Sequence, residues 1–349
     1  MIIKILKAEE GDCFLVKIND EAYTYNILID GGTSDTYSEN GLKEEVLNIL
    51  KKDNEYIDLM ILTHIHDDHI GGIIALYEDR EINKEELNKK IKEIWFNSSK
   101  VIAEYCKTSQ ENIKGRDIKL QPNTNDNTIS KSQGYTLEKA INRELRIIKS
   151  SDIYEMGNIK FTILSPNDER LKILNEAWPC SGTQISSNTG NKNRSIKDMI
   201  ENDKNHPKDN NPFNGSSISF ILECKEDEVI KRCLFLGDSF FSVNLESLEE
   251  LGYSKQNKLK VDLVKLSHHG SIYNFNEQLL EFIECKKFVI STDYSSNQYA
   301  IKRGIARLLK WSNNDIELLF NYNNMYDIFS NEFEQYKGNC RYVDGEVEV

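Results

Sequence analysis

The stretch Leu59-Met60-Ile61-Leu62-Thr63-His64-Ile65-His66-Asp67-Asp68-His69-Ile70-Gly71-Gly72 gathers three imidazoles and two carboxylates at the end of an apolar run. The run is short enough for a buried strand, and Ile73-Ile74-Ala75-Leu76-Tyr77 beyond the glycines reads as a helix. His64 and His66 stand two residues apart, so an extended backbone sends both side chains to one side. Asp68 and His69 follow after one further residue, where the chain must turn toward the helix. Neutral imidazoles and carboxylates suit zinc, manganese or iron, and two adjacent clusters suit two ions sharing a bridging hydroxide. The plain alternative is a polar loop with solvated histidines. It does not explain why an apolar strand brings so many groups that are costly to bury to one edge.

The histidine count points the same way. Of six histidines, five lie in two places, at His64, His66 and His69 and at His268-His269. Histidines used for packing would be dispersed.

The elements that must carry these groups follow in order. Residues 1–6, 13–18 and 23–30 are short β-rich runs of a meander, residues 41–52 an amphipathic helix, and residues 57–62 the strand feeding the histidine loop. Residues 81–93 read as a charged, solvated stretch, 91–96 as a strand, 101–107 and 137–148 as helices, and 121–128 as a polar loop. Lys114, Arg116, Lys119, Lys131, Lys139, Arg143 and Arg146 make this half more basic, as a solvated face or as a phosphate-facing rim. A strand at 159–166 precedes an insertion-like segment, 178–214, which holds three of the five prolines and little apolar periodicity. It is too long for an ordinary connection, which leaves a disordered segment or a lid or substrate-shaping loop. A hairpin, 217–224 and 229–236, delivers Leu236-Gly237-Asp238-Ser239, and a strand at 260–266 ends in Ser267-His268-His269-Gly270-Ser271. A strand at 288–292 and a helix at 301–311 complete the pattern.

Composition narrows the class. The 349 residues are 39% hydrophobic, enough for a core, and no apolar run reaches the length of a membrane span. Met1-Ile2-Ile3-Lys4-Ile5-Leu6 has a strand pattern and not that of a signal peptide. Seven cysteines scattered singly read as reduced thiols, so the expectation is a cytoplasmic protein without a membrane partner. A formal charge of −13 argues against coating nucleic acid non-specifically, yet a nuclease with a local basic groove remains compatible with it.

The pattern His64-x-His66-x-Asp68-His69 is similar to the signature of the metallo-β-lactamase fold. Gly11-Asp12-Cys13-Phe14-Leu15, Ile27-Leu28-Ile29-Asp30-Gly31-Gly32, the Gly237-Asp238 pair and Ser267-His268-His269-Gly270-Ser271 resemble one branch of it. That branch is the hydrolase domain of ComEC-type competence proteins and its stand-alone relatives, and the resemblance runs in patches to about Thr292. It implies an α+β fold, a four-layer αββα sandwich with the insertion ahead of the second-half hairpin. The whole chain, 1–349, would be one domain, with 293–349 as an outer helix and terminal strands. By the same resemblance Asp30 supports the metal loop from behind, and Asp238 bridges two metals. His64, His66 and Asp238 would hold the first ion, and Asp68, His69, Asp238 and one of His268 and His269 the second. Successive side chains at a strand end project to opposite sides. One of the pair is therefore expected to bind metal and the other to face substrate; the ligand is placed on His269 and the catalytic role on His268, with Asp68 also in the catalytic set.

Two departures matter. The histidine that most relatives carry before the strand opening at Ser217 is replaced by Asn211-Pro212-Phe213-Asn214-Gly215-Ser216-Ser217, as in the ComEC-like branch. Either Asn214 or His206 is left to approach the first metal there, although His206 lies far upstream by spacing in a Pro-flanked loop. The branch's late Tyr-Gly-His-Pro segment is missing, so the resemblance leaves substrate identity open. The expectation is a dinuclear hydrolase with two divalent ions, zinc first and manganese second. Its substrate would be a phosphodiester in a nucleic acid or nucleotide. The competing readings are a hydrolase of small esters, amides or lactones, and a non-catalytic binding module that the complete ligand set argues against.

Overall fold

The computed structural model describes residues 1–20, 23–108, 126–178, 191–205, 207–226 and 229–349, with the backbone alone for 126–130. β1 (Ile2–Ile5), β2 (Phe14–Asp20) and β3 (Tyr23–Ile29) form an antiparallel meander, which β4 (Ile57–Leu62) and β5 (Ile91–Phe96) extend in parallel. A second sheet begins with β6 (Ile153–Met156), β7 (Ile159–Ser165), β8 (Ser219–Glu226) and β9 (Val229–Phe235), all antiparallel. The short strand β10 (Leu259–Lys260) leads to β11 (Leu263–Lys265), which joins β9 in parallel. β12 (Ile283–Glu284) pairs with β10 in parallel, while β13 (Lys287–Ile290), β14 (Glu317–Phe320) and β15 (Cys340–Tyr342) continue the second sheet in parallel. β16 (Glu346–Glu348) returns to pair with β1, so the last residues close the edge of the first sheet.

The strand pattern explains the layers. Along β4, Leu59 and Ile61 enter the space between the sheets with Phe14, Val16, Ile27, Phe161, Phe220 and Phe235. Met60 and Leu62 point the other way, against Leu42, Val46 and Ile49 of the helix Leu42–Leu50 and Ile70 and Ile73 of the helix Asp67–Glu78. In β13 Val289 faces inward, while Phe288 and Ile290 face the helices Phe241–Glu250 and Gln298–Ser312. A strand buried on both faces has no polar side, which is why the run before His64 shows no alternation. Each large apolar side chain so buried contributes about 1.5–3 kcal/mol. The result is the expected four-layer αββα sandwich.

Several boundaries differ from expectation. The strand expected at 260–266 is broken, because the Asp262 N–H donates to the Arg232 carbonyl (2.8 Å) as its carboxylate accepts from the Arg232 N–H (2.8 Å). The charged stretch contains a helix, Lys84–Lys90, which Asn83 caps by accepting from Glu85 N–H and Glu86 N–H. The helix expected at 137–148 lies at Asp126–Ile141 and stops where Asn142 takes a left-handed φ of 43°. Ile148 is drawn instead into the inter-sheet core, its backbone held by both ends of the Asn97 amide (2.8 and 2.9 Å). Residues 121–125 of the polar loop lie outside the described residues, as do Lys114, Arg116 and Lys119. Arg143 donates to the backbone carbonyls of Asn88 and Ile91, and Arg146 pairs with Glu93, so these two brace β5.

Of the insertion-like segment, 179–190 and His206 lie outside the described residues. The described remainder is anchored. Ile196 and Met199 of the helix Ile196–Asn202 enter the outer core, and Asp203 is a buried ion-pair partner of Arg303. Residues 207–217 then run to the histidine loop. No helix among the described residues is long and apolar enough to cross a membrane.

Candidate metal centre

β3 and β4 end side by side, and a hydrogen-bonded carboxylate joins their ends. Asp30 accepts from the Thr63 N–H (2.7 Å) and the Thr63 hydroxyl (2.7 Å), and its Oδ2 lies 2.8 Å from His69 Nδ1. That contact directs His69 Nε2 outward, toward Asp238 Oδ1 (3.4 Å) and Asp68 Oδ2 (3.5 Å). His66 is the N-cap of the helix Asp67–Glu78, so the chain turns immediately after the second histidine. Glycines bring the backbones close enough for this. A Cβ on Gly11 would stand 1.7 Å from the Asp68 carbonyl oxygen, and one on Gly72 2.1 Å from the Gly31 oxygen.

Asp238 sits in the middle. Its backbone N–H donates to Ser217 Oγ (3.0 Å), and its two carboxylate oxygens face different groups. Oδ2 lies 3.7 Å from His64 Nε2 and 3.8 Å from His268 Nε2, and His64 Nε2 lies 3.0 Å from His66 Nδ1. Oδ1 faces His69 Nε2 and, at 3.9 Å, His269 Nε2, which is itself 3.3 Å from Asp68 Oδ2. Donors around one zinc at about 2.1 Å stand roughly 3.4 Å apart in a tetrahedral arrangement. In the sets His64, His69, Asp238 and Asp68, His69, His269 the candidate ligand atoms all lie within 4.8 Å of one another. His69 Nε2, His269 Nε2 and Asp238 Oδ1 are buried with no hydrogen-bond partner among the described residues, as expected of atoms meant for a cation. The residues present therefore fit a metal centre.

The electrostatics describe a cluster that needs positive charge. Burial pushes the His64 imidazole well below its ordinary pKa, with His69 beside it adding to the effect. Burial would do the same to His69, but Asp68, Asp238 and Asp30 outweigh it and hold its proton well above the usual range. His268 is driven up to about 10, as Asp238 and Asp209 overcome its burial. Asp238 lies well below the carboxylate range despite complete burial, because His268, His69, His269 and His64 surround it. Burial raises Asp30, which His69 and Thr63 only partly offset. Divalent cations would replace these shared protons as the balancing charge.

All seven residues expected at the site, His64, His66, Asp68, His69, Asp238, His268 and His269, come together. The geometry behind the split between the last two differs from the expected one. β11 stops at Lys265, and His268 and His269 take left-handed φ values of 47° and 57° in a tight turn. They therefore do not alternate about a strand. Both face Asp238, one toward each of its oxygens. Asn214 donates to Asp209 Oδ2 (2.7 Å), and it is Asn211 that reaches the loop, its Nδ2 3.3 Å from His66 Nε2.

Asp30 stands behind the loop as expected, but sequence reasoning missed the other residues behind the ligands. Asp12 was legible only as part of a Gly-Asp pair. Its Oδ1 lies 3.4 Å from His269 Nδ1, and its Oδ2 makes a buried ion pair with Lys265 Nζ (2.7 Å). Asp209, Asn274 and Ser217 carry no local signal that separates them from loop residues.

Residues 7–122, about a third of the chain, match the model of the Metallo-beta-lactamase superfamily. That span contains Asp12, Asp30 and the whole His64–His69 loop. With the two-sheet sandwich, it defines the architecture as a metallo-β-lactamase fold carrying candidate metal-binding residues. No curated protein matches the chain. Among solved structures, the isothiocyanate hydrolase from Delia radicum gut bacteria is 12% identical, covering 100% of this chain and 99% of that one at a TM-score of 0.40. The metallo-beta-lactamase GOB-18 from Elizabethkingia meningoseptica is 16% identical, with 87% of each chain covered and a TM-score of 0.33. A variant of the CmlA beta-hydroxylase is 10% identical over 99% of this chain, at a TM-score of 0.40. The chain spans 53% of that hydroxylase chain, about half its length.

Proposed function

We propose that the protein is a dinuclear metal-dependent hydrolase acting on phosphodiesters, in a nucleic acid or a nucleotide. The observation that carries this reading is Asp238, whose two oxygens face two separate sets of ligand atoms. His64, His66 and Asp238 would hold one divalent cation, and Asp68, His69, His269 and Asp238 the other, zinc in first place and manganese in second. Such cations supply Lewis acidity and a water acidified to near neutrality. Asp30 orients His69 from behind through a 2.8 Å hydrogen bond, and Asp12 stands behind His269 with its Oδ1 3.4 Å from Nδ1. His268 Nε2 stands on the Asp238 Oδ2 side, where it can give or take a proton. The polar groups of Asn211 and His268 beside the ligands suit phosphate oxygens better than an acyl chain, and the ComEC-like motifs favour the same substrate class.

The test is metal analysis followed by a substrate screen. About two ions per chain are expected, with turnover of bis-p-nitrophenyl phosphate, DNA or RNA exceeding that of a p-nitrophenyl ester or a lactam. Asp238→Asn should abolish it. A stoichiometry near zero with zinc and manganese both supplied would remove the metal centre, and preferential turnover of the ester or lactam would move the protein to the second class.

A further inference from the structure

His268 is held by a hydrogen-bond chain whose direction can be worked out. Its Nδ1 lies 2.8 Å from one end of the Asn274 amide. The other end contacts the Asp238 carbonyl (2.9 Å) and Asp209 Oδ2 (3.1 Å). A backbone carbonyl and a carboxylate are both acceptors, so that end must be the NH2 group, and the end facing His268 must be the oxygen. An oxygen accepts only, so the proton between the two side chains belongs to His268 Nδ1. Nε2 is then the atom presented to Asp238 Oδ2.

Asp209 is fixed in turn. Its Oδ1 accepts from the Asn211 N–H (2.8 Å), and its Oδ2 accepts from Asn214 Nδ2 (2.7 Å) while lying 3.6 Å from His268 Nδ1. The Asp209 N–H donates to the Tyr273 carbonyl (3.1 Å), next to Asn274. The insertion-like segment and the turn after the two histidines are thus tied together at the back of one imidazole. Asn274 is 2% exposed, so water does not compete for these bonds.

We propose that Asn274 and Asp209 are positioning residues for His268. They keep the proton on Nδ1 and aim Nε2 at Asp238 and the reacting group. The inference deepens the hydrolase reading, in that it assigns part of the insertion-like segment to the reaction centre. A carboxylate or carbonyl behind an imidazole fixes which nitrogen faces the chemistry, and loss of such a partner typically lowers activity by about 10–100-fold.

The experiment uses 15N-histidine-labelled, zinc-loaded full-length protein and long-range 1H–15N correlation spectra. His268→Gln identifies the His268 signals by their loss. The expected result is a proton on His268 Nδ1 in the wild type. In Asn274→Leu that bonded proton should be lost, and kcat should fall about 10-fold or more with KM nearly unchanged. Asp209→Asn keeps an acceptor in place and should retain the Nδ1 proton with a smaller fall, which also covers the case in which Asn274→Leu does not fold. An unprotonated Nδ1 in the wild type would overturn the proposal. So would an unchanged His268 spectrum in Asn274→Leu, which would reduce Asn274 and Asp209 to braces for the insertion. The spectrum reads the imidazole whether or not any substrate turns over, so its failure is distinct from failure of the hydrolase reading.

Discussion

Replacing Lys265 by methionine probes the support behind the second ligand set. Lys265 Nζ and Asp12 Oδ2 are 2.7 Å apart, and both side chains are 1–2% exposed. Two unit charges at that separation attract by about 6 kcal/mol at an effective dielectric constant near 20, and the desolvation of both groups offsets much of it. Lys265→Met keeps the aliphatic stem but leaves Asp12 buried without its cation, which should cost about 3–5 kcal/mol. Asp12→Asn/Lys265→Met removes both charges and should restore at least half of the loss. Urea unfolding followed by tryptophan fluorescence in the presence of EDTA reads this without the contribution of metal binding. The sign of the pH dependence can also be stated. Burial raises the Asp12 pKa, but Lys265 and then His269 bring it below its ordinary value. In the wild type the Asp12 contribution is thus present above the unfolded pKa of about 3.9 and lost as pH falls through the folded value. Without Lys265 the balance shifts toward burial, so the gap between wild type and variant should be widest near neutrality and narrow in acid. A loss under about 1 kcal/mol, or a double variant no more stable than Lys265→Met, would refute the reasoning that the two charges compensate each other.

Gly11→Ala would place a Cβ 1.7 Å from the Asp68 carbonyl oxygen, so the ligand loop must move. Metal content should fall below the wild-type value and stability should drop by about 1–3 kcal/mol, read by elemental analysis and urea unfolding; unchanged metal content would show that the loop tolerates the shift. Asp203 is raised by burial, but Arg303 brings its pKa below the ordinary value overall. Its stabilising contribution is therefore present above about pH 4 and lost as pH falls through the folded pKa. Asp203→Asn should flatten the acid side of the stability profile, and parallel wild-type and variant profiles between pH 7 and pH 3 would count against the ion pair.

The ligands were legible in the sequence because their geometry is local. His64, His66, Asp68 and His69 span six residues where a strand turns into a helix, so spacing alone brings them to one edge. The apolar run of β4 announced a strand covered on both faces, and the Gly-Asp and His-His pairs were placed by their resemblance to family motifs that follow a strand. Only the folded chain decided the rest. Asp12 and Lys265 are 253 positions apart, and they meet because β2 and β11 belong to sheets packed face to face. Asp209 reaches His268 from a segment whose composition resembles any polar loop. Alternation along an extended strand gave the wrong geometry for His268 and His269, because their two left-handed residues turn both rings toward Asp238. Spacing reports only the shape that neighbouring residues impose on each other. The partners that orient each ligand come from packing between distant elements, and no short stretch of sequence encodes that.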